Sequence, residues 1–201
     1  MKKVLTLLSI VAFSILCAFP GFTETTPPAK GDALPEITLS VPSAPGLQNY
    51  LGVTGKETFT IPQINAEVVV IEIYSLYCPF CQAEAPAINE LYQQIQGNGK
   101  LKDKIKLIGI GAGNSEFEVE EFKKIYDVKF PLFPDADLSI HKILGEVRTP
   151  YFIGVKINKD GTHTVIHSKL GSIKEKGADK KDSDKEAAAR FLSLITELAG
   201  L

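Results

Sequence analysis

The chain has 201 residues, with 22 basic and 24 acidic side chains, a net charge of −2, three cysteines and no tryptophan. That balance excludes the strongly basic character of nucleic-acid or anionic-membrane binders, and three cysteines are too few for an exported scaffold stapled by disulfides. The length suits one domain with a substantial core.

The opening stretch, MKKVLTLLSIVAFSILCAFPGFTETTPP, places Lys2 and Lys3 before an almost uncharged run from Val4 to Phe22. A basic start, a short apolar middle and a polar exit read as a secretory signal over residues 1–23, with a retained N-terminal anchor as the alternative. The expected location is therefore extracytoplasmic or periplasmic. Residues 24–33, rich in Pro and Thr, read as a tether, and residues 34–201 as a single domain. Within it, EITLSVP and ETFTIPQI have the pattern of two short strands of an N-terminal hairpin, joined by a loop rich in Pro and Gly. The β-branched run EVVVIEIY, Glu67 to Tyr74, predicts a strand buried on both faces. CPFCQAEAPAINELYQQIQ follows, with Ile88, Leu91, Tyr92 and Ile95 at helical spacing and a stop at Gly97-Asn98-Gly99. IKLIGIGA predicts a second buried strand. SEFEVEEFKKIYDV predicts a helix capped by Ser115, and LSIHKILG a shorter one closed by Gly145. PYFIGVKI and THTVIHSKL flank the turn signal NKDG, so the chain returns as an antiparallel pair. The charged stretch KEKGADKKDSDKE reads as a solvated loop and helix cap, and EAAARFLSLITELAGL as a final helix. This succession predicts an α/β fold with a mixed sheet covered by helices on both faces.

Cys17 falls in the leader, which leaves Cys78 and Cys81 in the domain. A bond between them closes too small a loop to staple a fold. Zinc needs two further ligands. His163 and His167, four residues apart on a strand, stand about 13 Å from each other at about 3.3 Å per residue, and His141 is isolated. No metal or other cofactor is expected, and a redox-active dithiol is the reading that survives. Cys78 falls where the buried strand hands over to the helix, and Pro79 suits the first helical turn. A thiol there faces unpaired N–H groups and the positive end of the helix dipole, which favour thiolate. Cys81 lies on the same helical face. The spacing thus predicts Cys78 as the attacking sulfur and Cys81 as the resolving one. GIGAGN, Gly109 to Asn114, lacks the last glycine of a dinucleotide-binding loop and reads as a glycine-rich strand exit.

The chain resembles thioredoxin-fold proteins, and among them the exported TlpA/ResA-like thiol-disulfide oxidoreductases, over about Leu34 to Leu201. Glu72 stands six residues before Cys78, where thioredoxins and protein disulfide isomerases keep a buried acid. Pro86 matches the proline that bends the family's active-site helix. Glu84 matches the glutamate of the C-x-x-C-x-x-E-x-P signature of ResA-like proteins. Thr149-Pro150 matches the family's cis-proline beside the cysteines. Tyr77 departs from the tryptophan usual before the first cysteine in thioredoxins. The resemblance implies a three-layer α/β/α domain with an N-terminal hairpin extension and a central helical insertion.

It further implies that Glu72 exchanges a proton with Cys81, that Glu84 belongs with Cys78, Cys81 and Glu72 to the catalytic set, and that Pro79, Phe80, Thr149 and Pro150 contact substrate. A strand-end acid in water is the plainer alternative for Glu72, and a helix acid favoured by the dipole the plainer one for Glu84. The expected activity is reduction of protein disulfides by a monomer, recharged by a membrane thiol carrier of the DsbD/CcdA type, with apocytochrome c cysteines the family's leading substrate. Three alternatives stand beside it. Pro79 is shared with the C-P-H-C motif of DsbA-like thiol oxidases. FPLFPDADLSIHKILGEVRTPYFI resembles peroxiredoxins too, although Ile71 stands where their peroxidatic motif has proline. A redox-fold module that only binds a partner is the third.

Overall fold

A computed structural model describes residues 26–174 and 183–201. The leader and most of the charged stretch lie outside the described residues. In chain order the described elements are β1 (Thr38–Ser40), α1 (Pro45–Leu51), β2 (Thr58–Thr60), β3 (Val68–Tyr74), α2 (Pro79–Gly97), β4 (Ile105–Ala112), α3 (Glu116–Ile125), β5 (Leu132–Asp135), α4 (Ser139–Ile143), β6 (Tyr151–Ile157), β7 (His163–Leu170) and α5 (Asp184–Ala199). The main sheet runs β5-β4-β3-β6-β7, with β3, β4 and β5 parallel and β6 and β7 antiparallel to their neighbours.

The β-branched residues of β3 place it at the centre of this sheet, buried along its whole length. Its period of two sorts side chains to two cores. Val69, Ile71 and Ile73 face a core shared with α1, β1 and β2. Val68, Val70 and Tyr74 face the other core, with Ile88, Leu91 and Ile95 of α2, Phe122 of α3 and Phe191 and Ile195 of α5. Each such side chain contributes on the order of 1.5–3 kcal/mol by leaving water. Glu72 has the parity of Val70 and Tyr74, so it points to the α2 side.

The predicted α/β architecture is thus present, with three differences. The Pro- and Gly-rich stretch between β1 and β2 contains helix α1, started by Pro45 and ended by Gly52 at φ 71°. The two short strands still pair antiparallel, as a separate two-stranded sheet. The insertion between α3 and β6 carries an edge strand, β5, as well as the short α4; β5 has four residues and includes Pro134. Finally, the described part of the tether is docked rather than free. Pro28 is buried, Gly31 donates to the Val165 carbonyl at 2.8 Å, and Val165 donates to the Asp32 carbonyl at 2.8 Å.

Candidate active site

The β3–α2 junction builds the site. β3 ends at Tyr74 and α2 starts at Pro79, with Cys78 as its N-cap in extended backbone, φ −88° and ψ 112°. No side chain caps this helix end, so the sulfur of Cys78 shares space with N–H groups that the helix leaves open. Burial alone pushes the Cys78 thiol up. Hydrogen bonding to the Thr149 side chain, to the backbone N–H groups of Cys81 and Phe80 and to the Cys81 thiol outweighs it, and the thiol lies below its ordinary value. In the thiol form, Sγ also reaches the Thr149 carbonyl at 3.4 Å. Cys78 is partly exposed; Cys81, three residues on, is fully buried. Burial drives the Cys81 thiol strongly upward, and the neighbouring Cys78 and Glu72 add to it. Two chemically equal cysteines thus become one accessible sulfur that ionises readily and one hidden sulfur that keeps its proton.

Glu72 is 2 % exposed, and its Oε1 has no hydrogen-bond partner among the described residues. Desolvation, then the proximity of Glu84 and Cys78, pushes its carboxyl group up to about 8. The acid pointing to water is therefore excluded. Glu84 is equally buried, but its carboxyl group accepts from the Ser172 hydroxyl and from the Ile173 N–H at 2.7 Å. It ties the second turn of α2 to the β7–α5 connection, where Lys174 Nζ also donates to the Ala83 carbonyl at 3.0 Å. α2 continues through Pro86.

The Thr149–Pro150 peptide bond is cis. It sets Thr149 against Cys78, and the Pro150 carbonyl accepts from Gly171 N–H at 2.9 Å. Pro79 and Phe80 lie on the outer rim, with Phe80 70 % exposed. Beside them Tyr77, 67 % exposed, donates its hydroxyl to Glu118 on α3. All the residues singled out in the sequence therefore gather at one end of β3. The sequence reading missed four others: Gln82, whose Nε2 donates to the Leu76 carbonyl at 2.8 Å, Asn114, Glu118 and Ser172. Their contacts span up to 88 residues, and nothing in a linear pattern marks them.

The family model described as AhpC/TSA family matches residues 31–175. The chain belongs to the AhpC/TSA family. This AhpC/TSA chain is 28 % identical over 163 residues to a protein named thiol-disulfide oxidoreductase ResA from Bacillus thuringiensis subsp. konkukian, covering 80 % of this chain and 86 % of that one. Among solved structures, a putative protein disulfide isomerase from Bacteroides thetaiotaomicron superposes with a TM-score of 0.57 at 20 % identity, covering 87 % of this chain and 92 % of that one. A putative thiol:disulfide interchange protein DsbE from Chlorobium tepidum does so with a TM-score of 0.55 at 16 % identity, over 84 % of this chain and 99 % of that one. The fold of this AhpC/TSA chain is thioredoxin-like.

Proposed function

We propose that this thiol-disulfide oxidoreductase reduces protein disulfides by dithiol exchange through Cys78 and Cys81, outside the cytoplasm. The Cys78 thiolate attacks one sulfur of the substrate disulfide, forming a mixed disulfide and expelling the other sulfur as a thiolate, which takes up a proton. Cys81 then gives its proton to Glu72 and attacks the Cys78 sulfur. The Cys78–Cys81 bond forms, the mixed bond breaks, and the second substrate sulfur is expelled as a thiolate that takes up the proton held by Glu72, so the substrate leaves as a dithiol carrying two electrons. Once the mixed disulfide has formed, the Cys78 charge is gone. One of the influences that raise Glu72 is then removed, so its carboxylate becomes available as base for Cys81.

The observation that carries this reading is the opposite placement of the two thiols, Cys78 partly exposed at the helix N-cap and Cys81 fully buried, beside a buried carboxyl group whose Oε1 has no hydrogen-bond partner among the described residues. The reductive direction is taken from the frame C-x-x-C-x-x-E-x-P at Cys78, Cys81, Glu84 and Pro86, which resembles that of ResA-like reductases. The substrates fitting this site are extended polypeptides whose backbone pairs beside Thr149 and cis-Pro150, with haem-site cysteines of apocytochromes c as the leading case. A membrane thiol carrier of the DsbD/CcdA type returns the two electrons.

The test is insulin reduction by dithiothreitol. Wild type accelerates it and Cys78→Ser does not; equal rates sink the exchange reading. The reduction potential of the pair decides direction, with a value near thioredoxin's, about −270 mV, expected and one near DsbA's, about −120 mV, overturning it. Family membership supplies a second reading, peroxide reduction at Cys78. Cys78-dependent consumption of peroxide in the same preparations would favour that reading instead.

A further inference from the structure

We propose that Asn114 is a positioning residue of the redox site: its buried side-chain amide holds the tripeptide before Cys78 and thereby sets where that sulfur lies. The proposal rests on the dithiol reading of Cys78 given above.

Ser75, Leu76 and Tyr77 belong to neither β3 nor α2, so their backbone groups have no ladder or helix partner. Asn114 is fully buried, and its Oδ1 accepts from Leu76 N–H at 2.8 Å. Its Nδ2 donates to Ser75 Oγ at 3.4 Å. The Leu76 carbonyl is taken by Gln82 Nε2 from the other side. Both polar groups of the Leu76 backbone are therefore met by side chains from two different elements. With Cys78 N–H donating to the Ser75 carbonyl at 3.1 Å, little freedom remains between β3 and the N-cap.

The turn that ends GIGAGN positions this amide. Asn114 N–H donates to the Gly111 carbonyl at 3.0 Å, and its carbonyl accepts from Asp135 N–H at 3.2 Å, which moors the turn to β5. A Cβ on Gly111 would stand 3.0 Å from Asn114 Cβ and 3.1 Å from Oδ1. A Cβ on Gly109 would meet Leu132 Cδ2 at 2.5 Å and Tyr74 at 3.2 Å. Both glycines thus make room for side chains, Gly111 for the amide itself, rather than exposing backbone to a phosphate.

Without the amide, Leu76 N–H is left unsatisfied in a partly buried place, and the tripeptide moves to find another partner. Cys78 then drifts from the N–H groups of Phe80 and Cys81 and from Thr149, the groups that favour its thiolate. The experiment uses the reduced full-length chain and follows alkylation of Cys78 by iodoacetamide against pH, read at that site by mass spectrometry. Insulin reduction is measured in parallel. Asn114→Ala is compared with Asn89→Ala, which removes an amide hydrogen bond to the Tyr126 carbonyl on the flank of α2. For Asn114→Ala, the alkylation midpoint is expected to rise by about half a pH unit or more and exchange to slow about tenfold, the equivalent of one lost hydrogen bond. Changes no larger than those of Asn89→Ala overturn the proposal.

Amide hydrogen exchange on the wild type is a second measurement that needs no variant. Leu76 N–H is expected to be protected, and exchange at the rate of an open loop overturns the clamp. If wild type shows no Cys78-dependent exchange with insulin, the functional reading falls, while the alkylation midpoint and Leu76 protection still decide the role of Asn114.

Discussion

Glu72 on β3 and Glu84 on α2 are exposed to the same small extent, but the regions enclosing them treat a carboxyl group in opposite ways. Around Glu84 the β7–α5 connection supplies a hydroxyl and a backbone N–H, so the group serves as a tie between two elements. Around Glu72, Oε1 has no hydrogen-bond partner among the described residues. Burial without partners raises the cost of the charge and leaves the proton mobile; burial with partners converts the same group into structure. Glu84 is therefore a structural tie, and Glu72 is the acid to which the proposed mechanism gives the proton transfer.

The largest effect that sharpens this contrast is on stability against pH. Glu72 titrates at about 8 in the folded chain against an ordinary 4.5. A raised folded value means its contribution is fully present below about pH 4.5 and is lost as pH climbs to about 8. The span amounts to a change on the order of 5 kcal/mol, at about 1.4 kcal/mol per pH unit. Urea unfolding from pH 5 to pH 9 should show wild type losing stability over that window and Glu72→Gln following a flatter curve. Parallel curves would break the contrast. Next in size, Glu72→Gln should slow release of the mixed disulfide about a hundredfold, the usual worth of a general acid–base group. Single-turnover reduction of a model disulfide measures it, and an unchanged rate removes Glu72 from the chemistry.

Glu84→Ala should behave differently. It strands two donors, so unfolding stability should fall by about 2–3 kcal/mol, and it removes one of the influences that raise Glu72, so the pH profile of exchange should move toward lower pH. A maximal exchange rate cut as far as by Glu72→Gln would give Glu84 a share in proton transfer after all. The smallest effect belongs to Tyr77→Phe, which removes an exposed hydroxyl contact with Glu118. Insulin reduction should change by less than about twofold, in keeping with the small worth of exposed polar contacts. A larger loss would extend the positioning machinery outward from Asn114.

How much of this was legible depends on the range of each interaction. Cys78 at the strand–helix junction and Pro79 at the first turn follow from local spacing, because a helix start is a short-range fact, whereas Glu72 was singled out by resemblance and its facing toward α2 comes from the sheet. Thr149-Pro150 was found by resemblance, since no spacing rule links it to a cysteine 71 residues away. Helix α1 was missed although Pro45 and Gly52 mark its ends, because Pro and Gly are also what a loop contains. β5 was missed because four residues including a proline carry no usable alternation. The partners of Glu84 and Leu76 could not be read at all, because Ser172 and Asn114 reach them only after the sheet has assembled.

Pro134 and the docked segment at Gly31 and Asp32 have a bearing on aggregation. Pro134 removes a donor from the edge strand β5, and Gly31 and Asp32 already occupy β7 at Val165. Open strand edges invite unfolded chains to add themselves to a sheet. The extended protein substrates proposed above would meet that hazard at every encounter. With Pro134 in β5 and β7 already paired at Val165, both flanks of the sheet are blunted, and the proposed pairing beside Thr149 and cis-Pro150 would hold an incoming chain only until its bond is cut.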